Sequence, residues 1–266
     1  MQAIQKATAQ VAHHAVARHT SLKTKPQLTL LQRCLRTFAV VVGISAGAIN
    51  AQASTVVVSN DEWELSDTGF AQASTTGQFV QNLVAELGPK IHAYSNNFGF
   101  TGSALASAMS AAGATYTTGT GIAFDLPTLS SYNAIFLGGT YLSAAELTTL
   151  EQYVANGGNV YLAGGTGVGG AANEAAAWNS FLGSFGLSFS SSYNGIAGNI
   201  SVSGDPLFNG VSALYQNNGN SIAGADIVCC GAEGLYAVVR QVPEPGPLAL
   251  LGAGLLGLAA LMRRRA

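Results

Sequence analysis

Basic residues are almost missing from the middle of this 266-residue chain. Of its 11 lysines and arginines, six precede residue 54 and three follow residue 262, which leaves only Lys90 and Arg240 between Ser54 and Val242. Twelve of the 13 acids lie in that same segment, so it carries a net charge of −10, which the whole-chain value of −2 hides. A surface this poor in cations has little with which to neutralise phosphates, and nucleic acid is excluded as the partner. It suits solubility or cation uptake outside a cell instead. Histidine is as scarce. His92 is the only one in the segment, so no histidine-rich metal constellation can be built. There is no internal repeat.

What is present at the two ends is an address. Arg33 and Arg36 precede an apolar run from Phe38 to Ile49, and Ala51-Gln52-Ala53 follows with the small-x-small pattern of a signal-peptidase site. Cleavage is expected after Ala53, with residues 1–53 a signal peptide of extended n-region. The last residues read VPEPGPLALLGAGLLGLAALMRRRA. The apolar stretch from Leu248 to Met262 is shorter than the roughly 20 residues that cross a ~30 Å hydrocarbon core, so as an anchor it is marginal. Arg263, Arg264 and Arg265 would remain on the cytoplasmic side. Pro243-Glu244-Pro245, the Gly/Leu/Ala span and the basic end together resemble the PEP-CTERM sorting signal of Gram-negative bacteria that make exopolysaccharide. That resemblance implies transient insertion in the inner membrane, recognition and cleavage by an exosortase, and release to the cell surface or extracellular matrix. An ordinary C-terminal membrane helix is the alternative.

Residues 54–242 are left as one domain, large enough to bury a sizeable core. Thr55 to Val58 is a continuous β-branched run, as in a strand buried on both faces. Phe79, Val80, Leu83, Val84 and Leu87 mark one helix face that Gly88-Pro89 stops. Leu105, Ala108, Met109 and Ala112 repeat the helical spacing. The clearest unit is SYNAIFLGGTYLSAAELTTLEQYVANGGNVYLAGGTG. In it, Ala134 to Leu137 is a strand, Ser143 and Glu146 form a capping box, Leu147, Leu150 and Val154 face a sheet, and Val160 to Ala163 is the next strand. Strand, helix and strand of these lengths form a right-handed parallel crossover. Trp178, Phe181, Leu182 and Phe185 mark one more helix, and Ile227–Cys229 and Leu235–Val239 read as late strands. The expected fold is a doubly wound α/β domain with a mostly parallel sheet and helices on both faces.

At this unit the chain resembles the class I glutamine-amidotransferase-like superfamily, and its ThuA-like members in particular. The likeness rests on the strand ending in Gly138-Gly139, the small-residue elbow Gly164-Gly165-Thr166-Gly167, and Gly204-Asp205-Pro206-Leu207-Phe208-Asn209-Gly210-Val211, which is similar to the family's His-Pro-containing segment. The resemblance implies a flavodoxin-like or amidotransferase-like sheet with Gly139 on the oxyanion side and a nucleophile at the elbow. Here the elbow holds Gly165, the downstream histidine is missing, and Asp205 stands in the His-Pro pair. Thr166 is adjacent, yet a hydroxyl without a base is inert near neutral pH. Gly164 to Gly167 could form a backbone nest for an anion. The expectation is a tight turn that lets strand and helix approach.

Asp61, Glu62, Glu64 and Asp67 follow the first strand within seven residues, where such sheets open their binding crevice. Carboxylates are the ligands of hard cations, so Ca2+ is one reading. A solvated acidic loop is the expectation. Cys229 and Cys230 are adjacent in an oxidising compartment; two buried thiols, a vicinal disulfide and an intermolecular link stay open. Function therefore reads as an exported, non-catalytic surface or matrix domain that binds carbohydrate, cations or other matrix components, without a required cofactor. The alternative is a glycosidase-like hydrolase using Asp61, Glu62 or Asp67.

Overall fold

The computed structural model of the chain describes residues 53–241. The signal segment before Ala53 and the tail from Pro243 onward lie outside these residues. β1 (Ser54–Ser59) is buried along its whole length, as its β-branched run requires. A 3-10 turn at Trp63–Leu65 and the short α1 (Asp67–Gln72) lead into α2 (Thr76–Leu87). The stripe from Phe79 to Leu87 is buried, and α2 stops at Gly88, whose φ of +92° suits glycine. Next come β2 (Lys90–Ala93), α3 (Phe98–Thr101), α4 (Ser103–Ala111) and β3 (Thr115–Thr118). α5 (Leu126–Leu129), β4 (Ala134–Leu137), α6 (Ala144–Ala155), β5 (Asn159–Ala163) and α7 (Ala171–Gly183) complete the alternating part. The rest is β-structure: β6 (Ser188–Tyr193), β7 (Ala197–Ser201), β8 (Ala213–Asn217), β9 (Asn220–Ala223), β10 (Ile227–Cys229) and β11 (Glu233–Gln241).

The central sheet has seven strands in the order β10-β11-β1-β5-β4-β2-β3. β1, β5, β4, β2 and β3 run parallel, and β11 and β10 are antiparallel additions at one side. Strand alternation divides the core. Val57, Phe136, Tyr161 and Tyr236 face α2 and α4, while Val56, Val58, Ile135, Leu137, Val160 and Leu162 face α6 and α7. Each large side chain buried this way contributes about 1.5–3 kcal/mol, so both layers are held by area rather than by charge. The fold is thus mixed α/β, mostly parallel, with helices on both faces. The chain moves outward from β1 to β2 and β3, then steps back through β4 to β5. Those reversals bring the carboxyl ends of β1, β5, β4 and β2 side by side.

The capping box of α6 forms as expected: Glu146 N–H donates to the Ser143 hydroxyl, and Ser143 N–H donates to the Glu146 carboxylate at 2.7 Å. Leu150 and Val154 are buried, and Leu147 is partly so. Phe185 is not part of a helix. It lies past the end of α7 at Gly183 and meets Phe181 edge-on at 5.1 Å. The strands β2 and β3 were not expected from the sequence, nor were the two-stranded sheets β6-β9 and β7-β8 between the last helix and the last strands. Cys229 and Cys230 are disulfide-bonded to each other. Cys230 has left the strand for the left-handed region, φ +53°, so the opposed side-chain directions of successive strand residues do not apply to this pair.

Candidate functional site

Four loops meet where the parallel strands end: Asn60–Glu62 after β1, Ser95–Asn97 after β2, Gly138–Gly139 after β4, and Gly164–Gly167 after β5. They interlock. The Ser95 hydroxyl donates to the Gly138 carbonyl at 2.5 Å, and Gly139, φ +70°, leaves the space that the Asn97 side chain fills. Asn220, from β9, receives the Gly165 N–H at 2.9 Å, and its own N–H reaches the Asn60 carbonyl at 2.9 Å. The two-stranded β6-β9 sheet therefore closes one side of the crevice.

Asp61, Glu62 and Glu64 are not a solvated loop. They are 0 %, 1 % and 0 % exposed, because the 3-10 turn at Trp63 tucks the chain against β8 instead of into water. Asp61 accepts from Trp63 N–H at 3.0 Å and from Asn217 N–H, yet burial still lifts its pKa to about 6. Glu62 has no hydrogen-bond partner, and Asn97 approaches without completing one. Burial first, then the neighbouring Asp61 and Glu174, raise Glu62 to about 9, so it stays neutral. Glu64 points elsewhere. Its carboxylate accepts from the hydroxyls of Tyr161 and Tyr236 (2.6 Å to the latter) and from the Gln216 amide at 3.1 Å; burial leaves it at about 7.

Asp67 departs from these three altogether. It is exposed and accepts the Ala104 N–H at 2.8 Å at the start of α4. The four carboxylates thus go to separate partners, and among the described residues no group of three or more His, Cys, Asp or Glu is placed to hold a metal ion.

The elbow resolves into a filled nest. Gly165 has φ +63°, and a Cβ there would come within 2.8 Å of the Gly219 Cα and 3.0 Å of the Asn60 carbonyl. No side chain fits. The anion in the nest is the protein's own Glu174, from the first turn of α7, whose carboxylate accepts the Gly165 N–H at 3.1 Å and the Thr166 hydroxyl. Thr166 consequently has a carboxylate partner that its sequence neighbourhood did not suggest. Burial raises the Glu174 pKa while these donors hold it down. Glu174, Asn60, Asn97 and Asn220 were all missed from sequence. The one available signal was an acid in the first turn of the helix after a glycine elbow.

The remaining polar landmarks have structural explanations. His92 is buried in β2; its Nε2–H donates to the Gly119 carbonyl at 2.9 Å, and Nδ1 accepts from the Thr117 hydroxyl at 2.8 Å. Burial lowers its pKa, which keeps it neutral. Asp205 of the Asp-Pro pair accepts two bonds from Arg240, at 2.7 and 2.9 Å, while Arg240 also pairs with Glu86. One of the segment's two cations thus joins β11 to the connection between β7 and β8.

Comparison with known proteins adds one result. Residues 241–265 match the PEP-CTERM protein-sorting motif. The motif implies export of the chain through an exosortase-type system. No curated protein and no solved structure matches the chain, so the amidotransferase-like resemblance gains no support from either. Among the described residues no helix is long and apolar enough to cross a membrane.

Proposed function

We propose that this is an exported, non-catalytic domain that works at the cell surface or in the extracellular matrix as a binding component. The observation that supports this reading is the elbow. The position where an amidotransferase-like enzyme would carry its nucleophile admits only glycine, and the nest that could hold a substrate oxyanion is occupied by Glu174. Order of strands and placement of glycines suit an amidotransferase-like scaffold that has lost its chemistry. A glycosidase reading needs two carboxyl groups open to a glycosidic bond, whereas Asp61 and Glu62 are sequence neighbours under cover. One observation favours a second reading, a hydrolase with a threonine nucleophile: the Thr166 hydroxyl donates to a carboxylate of raised pKa. Protein recovered from the producing cells should release neither ammonia from glutamine, nor acid from simple esters, nor reducing ends from polysaccharide above a heat-inactivated control. Turnover that disappears in both Thr166→Ala and Glu174→Gln would replace the binding reading with the hydrolase.

A further inference from the structure

The turn that buries Asp61, Glu62 and Glu64 sends its one aromatic residue the other way. Trp63 meets Phe98, the first residue of α3, edge-to-face at 4.7 Å, and meets Tyr215 of β8 at 6.5 Å. The three rings form a row. Phe98 is 45 % exposed, and with Val168 and Val228 it completes the set of large apolar side chains open to solvent among the described residues. Trp63 is held in place by its N–H bond to Asp61 and by the Ser66 hydroxyl, which donates to the Trp63 carbonyl at 2.7 Å. Phe98 also walls a cleft of about 260 Å³ whose other sides are Ser66, Asp67, Thr68, Thr101 and Gly102. That is near the small end of ligand pockets, ~300 Å³, and its composition is an apolar ring beside a few convergent oxygens.

We infer that this row and cleft form a binding site for a neutral saccharide. Charge sets the class of ligand. The described residues hold only two basic side chains; Arg240 is committed to Asp205 and Glu86, and the Lys90 ammonium sits 5.2 Å from the Tyr132 ring. A phosphate, sulfate or uronate would find no cation here and would meet the Asp67 carboxylate. A neutral sugar ring has the complementary surface, with C–H faces for Phe98 and Trp63 and hydroxyls that donate to oxygens. Asp67 is equipped to receive one: Oδ1 takes the Ala104 N–H, while Oδ2 has only a long 3.5 Å approach from Ser103. A second copy of the chain is a poorer occupant, since one exposed ring falls far short of the ~800 Å² per partner of a stable interface. The site deepens the proposed binding function and rests on it only for where the ligand is met.

The chain has two tryptophans, and Trp178 is buried in the core at 2 % exposure, so Trp63 is a built-in reporter. Protein released by the producing cells is titrated with neutral glucose and galactose oligomers, and separately with uronate oligomers, while tryptophan emission is followed. Saturable change with a neutral oligomer is expected, about tenfold weaker in Phe98→Ala and close to native in Phe98→Tyr, the loss of one stacked ring. Both variants should keep the native melting temperature, because Phe98 is surface-exposed. Emission unmoved by every neutral oligomer, stronger binding of uronates, or binding indifferent to Phe98→Ala would overturn the site. So would concentration-dependent self-association in sedimentation that Phe98→Ala abolishes, which would assign the row to a second copy. Retention inside the cell, or cleavage of the added sugar, would instead refute the export-and-binding reading and leave the titration standing.

Discussion

The stretch from Asp61 to Asp67 serves two regions that share residue types and little else. On the inner side, three carboxyl groups lie within the protein without a single cation, two of them bonded and Glu62 not. On the outer side, Asp67 and Phe98 border an open cleft, and Trp63 packs edge-to-face on Phe98. Composition does not separate the two. What separates them is one 3-10 turn, which reverses the direction of successive side chains, and β8, whose Gln216 and Asn217 bond the inner carboxyl groups while Tyr215 meets Trp63 on the other side. An acid is therefore a liability in the first region and a cap or ligand in the second.

The largest effect should come from removing the best-bonded member of the inner group. Glu64→Leu leaves the hydroxyls of Tyr161 and Tyr236 and the Gln216 amide without their acceptor in a dry core, at a cost of about 3–5 kcal/mol. For a domain of this size that lowers Tm by roughly 10 °C or more, readable by thermal melting; Glu64→Gln, which keeps an acceptor, should lose much less. A Leu variant as stable as the parent would mean that the network is not a structural unit.

Acidity should act next. Asp61, Glu64 and Glu62 have pKa values raised to about 6, 7 and 9, against 3.8 to 4.5 when free. Each is protonated in the fold over a range where the unfolded chain is ionised. The stabilisation this supplies is complete below about pH 4 and is lost as pH rises through the folded values. Across this window, taken by itself, Tm should fall from pH 5 to pH 9. Glu62→Gln, a neutral isostere, should flatten the upper part of that fall and stabilise the domain at pH 8 by about 1–2 kcal/mol. A Tm that rises from pH 5 to pH 9 in the native chain and in the variant alike would show that Glu62 is solvated.

The outer region should barely respond. Asp67→Asn keeps an oxygen for the Ala104 N–H and should change stability by less than about 1 kcal/mol in denaturant melts. Loss beyond that would move Asp67 from the surface into the supporting structure and erase the contrast.

Much of the architecture is legible in the sequence. β1, β4 and β5 announce themselves as apolar runs because strands covered on both faces need no polar alternation. The stripe of α2 and the capping box of α6 are equally local. β2 was hidden because Lys-Ile-His-Ala carries two polar residues in four, and His92 is satisfied only by Thr117 and Gly119 of a distant segment. β3, with exposed threonines at the sheet edge, has no apolar period to find. The Ser-, Asn- and Gly-rich hairpins from β6 to β9 read as loop for the same reason.

The alternation of strands and helices, the acidic and cation-poor middle segment and the sorting motif at its end can all be read along the chain, because each is a property of neighbours in it. That Glu174 fills the elbow, that Glu62 lies buried and neutral, and that Trp63 joins Phe98 at the surface emerge only once the chain is folded. Each of those depends on which residues from other loops arrive at the same place, and with two cations among a dozen acids it is proximity and burial, far more than charge pattern, that set what every carboxylate does.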